Sequence, residues 1–238
     1  VDTIINLAGA SISKRWTSSY KTKLVNSRVK SLQTLHKLLS SKSNQVKNII
    51  SASAIGIYPT SYSKDYYETE KKVSSSFLGT IVTTWEDEAN TFKTLAMSVN
   101  TIRIGVVLSE DGGALTQIVK PIRLGLGASL GSGKQYQSWI HIHDLARLFL
   151  FAAEQQLEGV YNAVASNPVT NAQMTKAIAV QVNKPLWLPN VPVFFLKLIL
   201  GEMATIVLES QKVNNEKIVN KGFKFKYNYL EEALTDTL

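Results

Sequence analysis

Cysteine is absent from the 238-residue chain, which excludes disulfides and thiolate metal sites and fits a reducing cytoplasm. Histidine is nearly as scarce, with three in all, at positions 36, 141 and 143. A metal needs three or four convergent ligands, so no metal is expected. No apolar run approaches the roughly 20 residues of a membrane span. The most apolar segment, residues 191–200, is too short and carries Lys197, and no signal peptide is visible, so a membrane is not an expected partner.

Acidic residues are few relative to basic ones, 18 Asp and Glu against 26 Lys and Arg, for a net charge of +8. The excess is strongest where Lys14, Arg15, Lys21, Lys23, Arg28, Lys30 and Lys37 fall along one predicted helix. Such a face attracts nucleic acid, anionic surfaces or phosphorylated ligands, but commonly serves solubility alone. No nucleic-acid module or aromatic interleaving accompanies it, and nucleic acid is not an expected partner.

What is present alternates between strand and helix. Val1-Asp-Thr-Ile-Ile-Asn-Leu-Ala-Gly9 reads as a buried parallel strand ending in a glycine turn, an opening that leads us to expect residues before Val1. Thr17 is placed to cap a long helix whose apolar stripe runs from Tyr20 to Leu39. A strand over 46–53, a polar tyrosine-rich loop to 76, a helix over 77–95 and a strand over 99–107 follow. This succession, with crossovers of about a dozen residues or more, predicts a parallel, doubly wound sheet. A helix over 114–124, a helix over 145–154 and a strand over 159–163 continue it. Beyond Asn167-Pro168 the units shorten, with helices over 171–182, 193–200 and 230–238 and strands over 185–188 and 222–227.

Three stretches carry candidate chemistry. The run Gly125-Leu-Gly-Ala-Ser-Leu-Gly-Ser-Gly133 lacks the Lys-Ser/Thr ending of a phosphate loop and precedes a strand, so it reads as a flexible flap over a cleft. In Trp139-Ile-His-Ile-His-Asp144, Asp144 reads as a helix cap and His141 as a packing or hydrogen-bonding brace. Ser51-Ala-Ser-Ala-Ile-Gly-Ile-Tyr58 sets hydroxyl residues at the carboxyl end of a parallel strand, where such sheets bind ligands.

These segments together resemble extended short-chain dehydrogenase/reductases of the nucleoside-diphosphate-sugar epimerase type, in a branch with an extra C-terminal domain of unknown function. The resemblance rests on Ile5-Asn-Leu-Ala-Gly9, Lys14-Arg-Trp16, the 51–58 stretch, Trp85-Glu86 and Arg103-Ile-Gly-Val-Val-Leu108. It continues through Asp111-Gly-Gly113, Gly131-Ser-Gly-Lys-Gln135, the 139–144 stretch, Tyr161-Asn162, Val191-Pro192, Gly201-Glu-Met-Ala204, Gly222-Phe-Lys-Phe225 and Leu230-Glu-Glu-Ala-Leu234, in family order.

The resemblance implies an α/β, Rossmann-like fold lacking its first strands and glycine turn, with residues 1–165 forming an incomplete dinucleotide-binding domain and 166–238 a smaller α/β substrate-side segment. It implies NAD or NADP as cofactor, with Leu7, Ala8 and Gly9 beside the adenosine ribose. Ser51, Ala52 and Ser53 would border the nicotinamide, Ser53 at the catalytic hydroxyl position, and Arg103, Gly105 and Val106 would line its far side. The family's Tyr-x-x-x-Lys pair is replaced here by Phe77 and Ile81, neither of which moves a proton. Tyr58 and Glu86 become the substitute candidates. The implied function is an atypical NAD(P)-dependent epimerase- or dehydratase-like oxidoreductase acting on a sugar nucleotide or related small molecule. The rival expectation is a dinucleotide-responsive binding or scaffold protein that has lost catalysis and touches nucleic acid through its basic helix.

Overall fold

The computed structural model describes residues 1–238. The chain enters on strand β1 (Thr3–Asn6), and Thr17 then caps helix α1 (Ser18–Ser41), its hydroxyl accepting the Tyr20 N–H. Strand β2 (Asn48–Ala54) leads through a single 3-10 turn to the short strand β3 (Asp65–Tyr66) and to helix α2 (Phe77–Asn90), capped by Ser76. Strands β4 (Ser98–Ile104) and β5 (Val106–Leu108), helix α3 (Gly113–Arg123), strands β6 (Tyr136–Gln137) and β7 (Trp139–His141), and helix α4 (Ile142–Glu154) follow. Then come β8 (Gly159–Ala163), β9 (Val169–Thr170) and α5 (Asn171–Gln181). The chain closes with α6 (Val193–Leu200), α7 (Ala204–Leu208), β10 (Lys212–Val213), α8 (Glu216–Asn220) and α9 (Leu230–Thr237).

Strands β1, β2, β4 and β8 pair in parallel in that order. Successive residues of a strand face opposite ways, so burial of both Ile49 and Ile50 on β2 requires cover on both faces. Leu32 of α1, Trp85 and Ala89 of α2, and Leu148 and Phe149 of α4 supply it. A second core joins β5, β7 and α3 to α5 and α9 through Leu108, Trp139, Val119, Ile178 and Leu234. Helices α5 and α9 are therefore packed into the body of the molecule.

Four sequence expectations are corrected. The strand expected over 99–107 breaks at Gly105, where the chain leaves the central sheet and β5 pairs with β7 instead. A Cβ at Gly105 would lie 2.4 Å from the Ser138 carbonyl oxygen, so only glycine admits this crossing. Residues 185–188 form no strand. Neither do residues 222–227, whose N–H groups at Lys226 and Tyr227 go to the Asp144 carboxylate rather than to a ladder. Asp144 is consequently not a cap. His141 caps α4, its Nδ1 accepting the His143 N–H at 3.1 Å.

Candidate functional site

At the carboxyl end of β2 the structure gathers Ser53, Tyr58, Glu86 and Arg103 into one buried hydrogen-bond network. Ser53 Oγ donates to Glu86 Oε1 at 2.6 Å. Arg103, the neighbour of Ser53 across the β2–β4 pairing, grips the same carboxylate in bidentate fashion, Nε to Oε1 at 2.9 Å and Nη2 to Oε2 at 2.8 Å. Its Nη1 donates to the Tyr58 hydroxyl at 3.0 Å, and that hydroxyl donates to Asn162 Oδ1 at 2.8 Å. Burial alone would lower the Arg103 guanidinium, but its bonds to Glu86 and the Glu86 charge hold it well above its ordinary value. Burial pushes the Tyr58 phenol up, against the opposing pull of Arg103. Tyr58, 1% exposed, stacks on Tyr66 and touches no open cleft.

Beside this network, Leu7, Ala8 and Gly9 lie exposed past the end of β1, Leu7 at 62%. Asn6 accepts the Ala8 N–H through Oδ1 while its buried Nδ2 has no partner. A Cβ at Gly9 would approach the Arg28 guanidinium to 3.1 Å. An open glycine backbone and an unpaired amide at a parallel sheet's carboxyl edge fit the adenosine-ribose side of a dinucleotide. No Gly-x-x-Gly-x-x-Gly turn occurs among the 238 residues to cradle its diphosphate. Ser51 and Ala52 are buried within β2, Gly105 is packed against Ser138 and Val164, and Val106 is half-buried.

The open cavity lies next door, a cleft of about 880 Å³. Trp16, Thr60, Tyr62, Ser76 and Phe77 form one wall, and Val193, Lys197, Glu202, Thr205, Leu208 and Glu209 form the other. Phe77 opens directly onto it. Ser132 and Gln135 close one end. The glycine run that supplies Ser132 is no free flap. Gly131 N–H donates to Val191 carbonyl, Leu130 N–H to Asn171 Oδ1, and Gln135 Nε2 to the carbonyls of Leu130 and Val207. Glu209 is the residue that sequence reasoning missed. It follows α7 with no motif around it, and only the folding of residues 209–211 against the 58–61 loop brings it to α2.

The 139–144 stretch acts as a joint. Asp144, fully buried, accepts from Lys226 N at 2.9 Å, Tyr227 N at 2.9 Å and Arg147 Nη1 at 2.6 Å. His141 stacks on Tyr227 with ring centroids 3.8 Å apart, and its Nε2 lies 3.2 Å from Asp236 Oδ2. Ligand atoms of His141, His143 and Asp236 fall within 4.8 Å of one another, a grouping that needed α9 to supply its carboxylate. The cap decides its chemistry. Since Nδ1 accepts a backbone proton, the neutral ring carries its own proton on Nε2, which leaves no lone pair there for a metal.

A parallel sheet with its ligand edge crossed by a C-terminal segment, and a Ser-bearing β2 end, define an extended short-chain dehydrogenase/reductase. The NAD dependent epimerase/dehydratase family matches residues 1–164, and a domain of unknown function, DUF1731, matches residues 191–237. The chain belongs to the NAD-dependent epimerase/dehydratase family. It is 41% identical to an epimerase family protein of Staphylococcus epidermidis over 241 aligned residues, covering all of this chain and 80% of that protein. The human epimerase family protein SDR39U1, solved with NADPH, superimposes with a TM-score of 0.90 at 29% identity, over 99% of this chain and 81% of that one. A Bacillus cereus UDP-glucuronic acid 4-epimerase, solved with UDP-glucuronic acid and NAD, shares the fold at a TM-score of 0.78 and 14% identity, over 98% and 73% of the two chains.

Proposed function

We propose that this chain carries the substrate cleft and nicotinamide edge of an atypical NAD(P)-dependent oxidoreductase, epimerase- or dehydratase-like, acting on a small hydroxyl- or carbonyl-bearing molecule. The observation that carries this reading is the 880 Å³ cleft, walled on one side by the dinucleotide-type sheet's loops and on the other by residues 193–209. NAD or NADP would, when bound, supply the hydride acceptor or donor. Residues Leu7, Ala8 and Gly9 would hold its ribose side, with Ser51, Ala52, Ser53, Arg103, Gly105 and Val106 around the nicotinamide. NADPH bound to the human relative supports the cofactor class.

Ser53 has committed its proton to Glu86, so it offers a ligand lone pairs only. It would therefore accept from a substrate hydroxyl other than the reacting one and so orient the molecule. Glu86 and Tyr58, both closed in around Arg103, act through Ser53 as positioning groups. Between a sugar nucleotide and a smaller molecule, the cleft's charge favours the smaller. Glu202 and Glu209 face it, Lys197 is the one cation in its lining, and Lys21 is already paired with Glu202. With Lys21 already on Glu202, the lining's remaining charges, Lys197 and Glu209, offset each other and offer a diphosphate no net cationic field.

A screen of the full-length protein for NADH or NADPH oxidation with small ketones and aldehydes tests the reading, with sugar nucleotides as a parallel arm. Turnover unchanged by Ser53→Ala would remove Ser53 from the mechanism. The non-catalytic reading draws on Phe77 at the cleft wall and buried Ile81, neither able to exchange a proton. It predicts cofactor binding without turnover across the whole screen. The basic helix gives that reading little help, because Arg28 is held by the Ala10 and Leu24 carbonyls and lies over Trp85.

A further inference from the structure

Phe77 leaves the cleft without the proton carrier that its neighbours lead one to expect, and the opposite wall brings a carboxyl to the same spot. Glu209 lines the cleft together with Phe77 and with Ser76, the residue immediately before it and the cap of α2. Gln211 Nε2 donates to Glu209 Oε2 at 3.1 Å. Gln211 Nε2 also donates to the Tyr58 carbonyl, so the carboxyl's position is tied to the loop that follows Ser53. We propose that Glu209 is the acid/base of the cleft, exchanging a proton with the ligand's reacting oxygen in the place of the family's tyrosine. This rests on the oxidoreductase reading above and names the proton carrier within it.

Physical chemistry suits the group to the task. Burial against the cleft's apolar walls raises the Glu209 carboxyl above its ordinary range, and the Ser76 hydroxyl and Gln211 amide pull it down. The N-terminus of α2 also favours the anion. A carboxyl held between these opposing influences exchanges protons closer to neutrality than a solvated one. The other titratable groups lining the cleft are Tyr62, Lys197 and Glu202, the last tied to Lys21. In the oxidising direction the ligand's O–H bond breaks toward the Glu209 carboxylate while its C–H bond gives up a hydride to the oxidised nicotinamide. The products are a carbonyl, a neutral Glu209 acid and reduced nicotinamide; the reverse direction returns the same proton.

Two measurements separate this proposal from the reading beneath it. A water-soluble aryl diazoacetamide esterifies carboxyls that are protonated, and peptide mass spectrometry of the labelled full-length protein at pH 7 locates the sites. Glu209, whose carboxyl is pushed up by burial, is expected to label faster than Glu202, which Lys21 pairs, with a rate that falls as pH rises. Equal labelling of the two overturns the proposal whether or not a substrate is known. With a small vicinal diketone as probe and NADPH as reductant, Glu209→Gln is expected to lower kcat by about 10²-fold with KM little changed. Glu209→Asp should restore part of it. An unchanged kcat in Glu209→Gln also overturns the proposal, whereas a wild type that turns over nothing while Glu209 labels as expected counts against the oxidoreductase reading and leaves the acid/base chemistry of the carboxyl supported.

Discussion

The Arg103–Glu86 pair is where a single atom change should cost most. Both side chains are buried, and Glu86 receives three hydrogen bonds, two from Arg103 and one from Ser53. Removing one partner strands the other charge without solvent. Glu86→Gln is expected to lower unfolding free energy by about 3–5 kcal/mol, measured by denaturant titration, and Glu86→Asp, which retains the charge, by less. His141 adds a pH dependence. Burial holds its imidazole below the ordinary value of 6.5, against the pull of Asp236 and with His143, Asp144 and Lys226 also facing it. Unfolded chains take up that proton first, so stability is complete above pH 6.5 and declines as pH falls below it toward the folded ring's lower value. A proton on Nδ1 would also oppose the His143 N–H that the ring caps. Denaturant midpoints between pH 5 and 8 should show this slope in the wild type and a flatter one in His141→Asn, whose amide oxygen can still cap.

Among the elements, the β4–β5 break decides the architecture. Gly105, which the resemblance sets beside a nicotinamide, lets two sheets meet by leaving room for the Ser138 carbonyl where a side chain would stand. Gly105→Ala would set a methyl 2.4 Å from that oxygen and 2.8 Å from Val164 Cγ1. A loss of about 1–3 kcal/mol follows, to be read from the thermal or denaturant midpoint. Asp144 is the matching device on α4. Its carboxylate holds the 226–227 backbone, so the alternating apolar pattern of Phe223 and Phe225 packs without a strand ladder. Asp144→Asn keeps the shape but replaces one acceptor oxygen with a donor facing N–H groups. It should cost about 1–3 kcal/mol and expose the 222–227 backbone to faster hydrogen exchange.

For the molecule as a whole, the parallel sheet and the C-terminal segment share one interior, and the cleft exists only because they do. Cofactor binding is a property of this same scale. These 238 residues hold an open ribose-side edge at Asn6–Gly9 and no glycine turn for a dinucleotide's diphosphate. Calorimetry on residues 1–238 is expected to find NAD(P)H binding weaker than micromolar, a bound that follows from the lack of a glycine phosphate cradle among them. No helix is long and apolar enough to cross a membrane.

Sequence alone determined the layers. An apolar run such as the 46–53 strand, spaced by long amphipathic helices, admits a parallel sheet and little else, because a strand buried on both faces cannot alternate; β1, expected to be buried, instead lies at the sheet's edge with Ile5 42% exposed. Motif order carried the family, and Phe77 and Ile81 announced the missing proton carrier. Tertiary structure decided the rest. Whether Ser53 faces a ligand or a carboxylate depends on Glu86, 33 positions away; whether residues 222–227 pair as a strand depends on Asp144; whether any acid reaches Phe77 depends on Glu209. Each of these is a contact between segments distant in the chain, and local periodicity, which reports only which face of an element is apolar, carries no record of the polar partner it will meet.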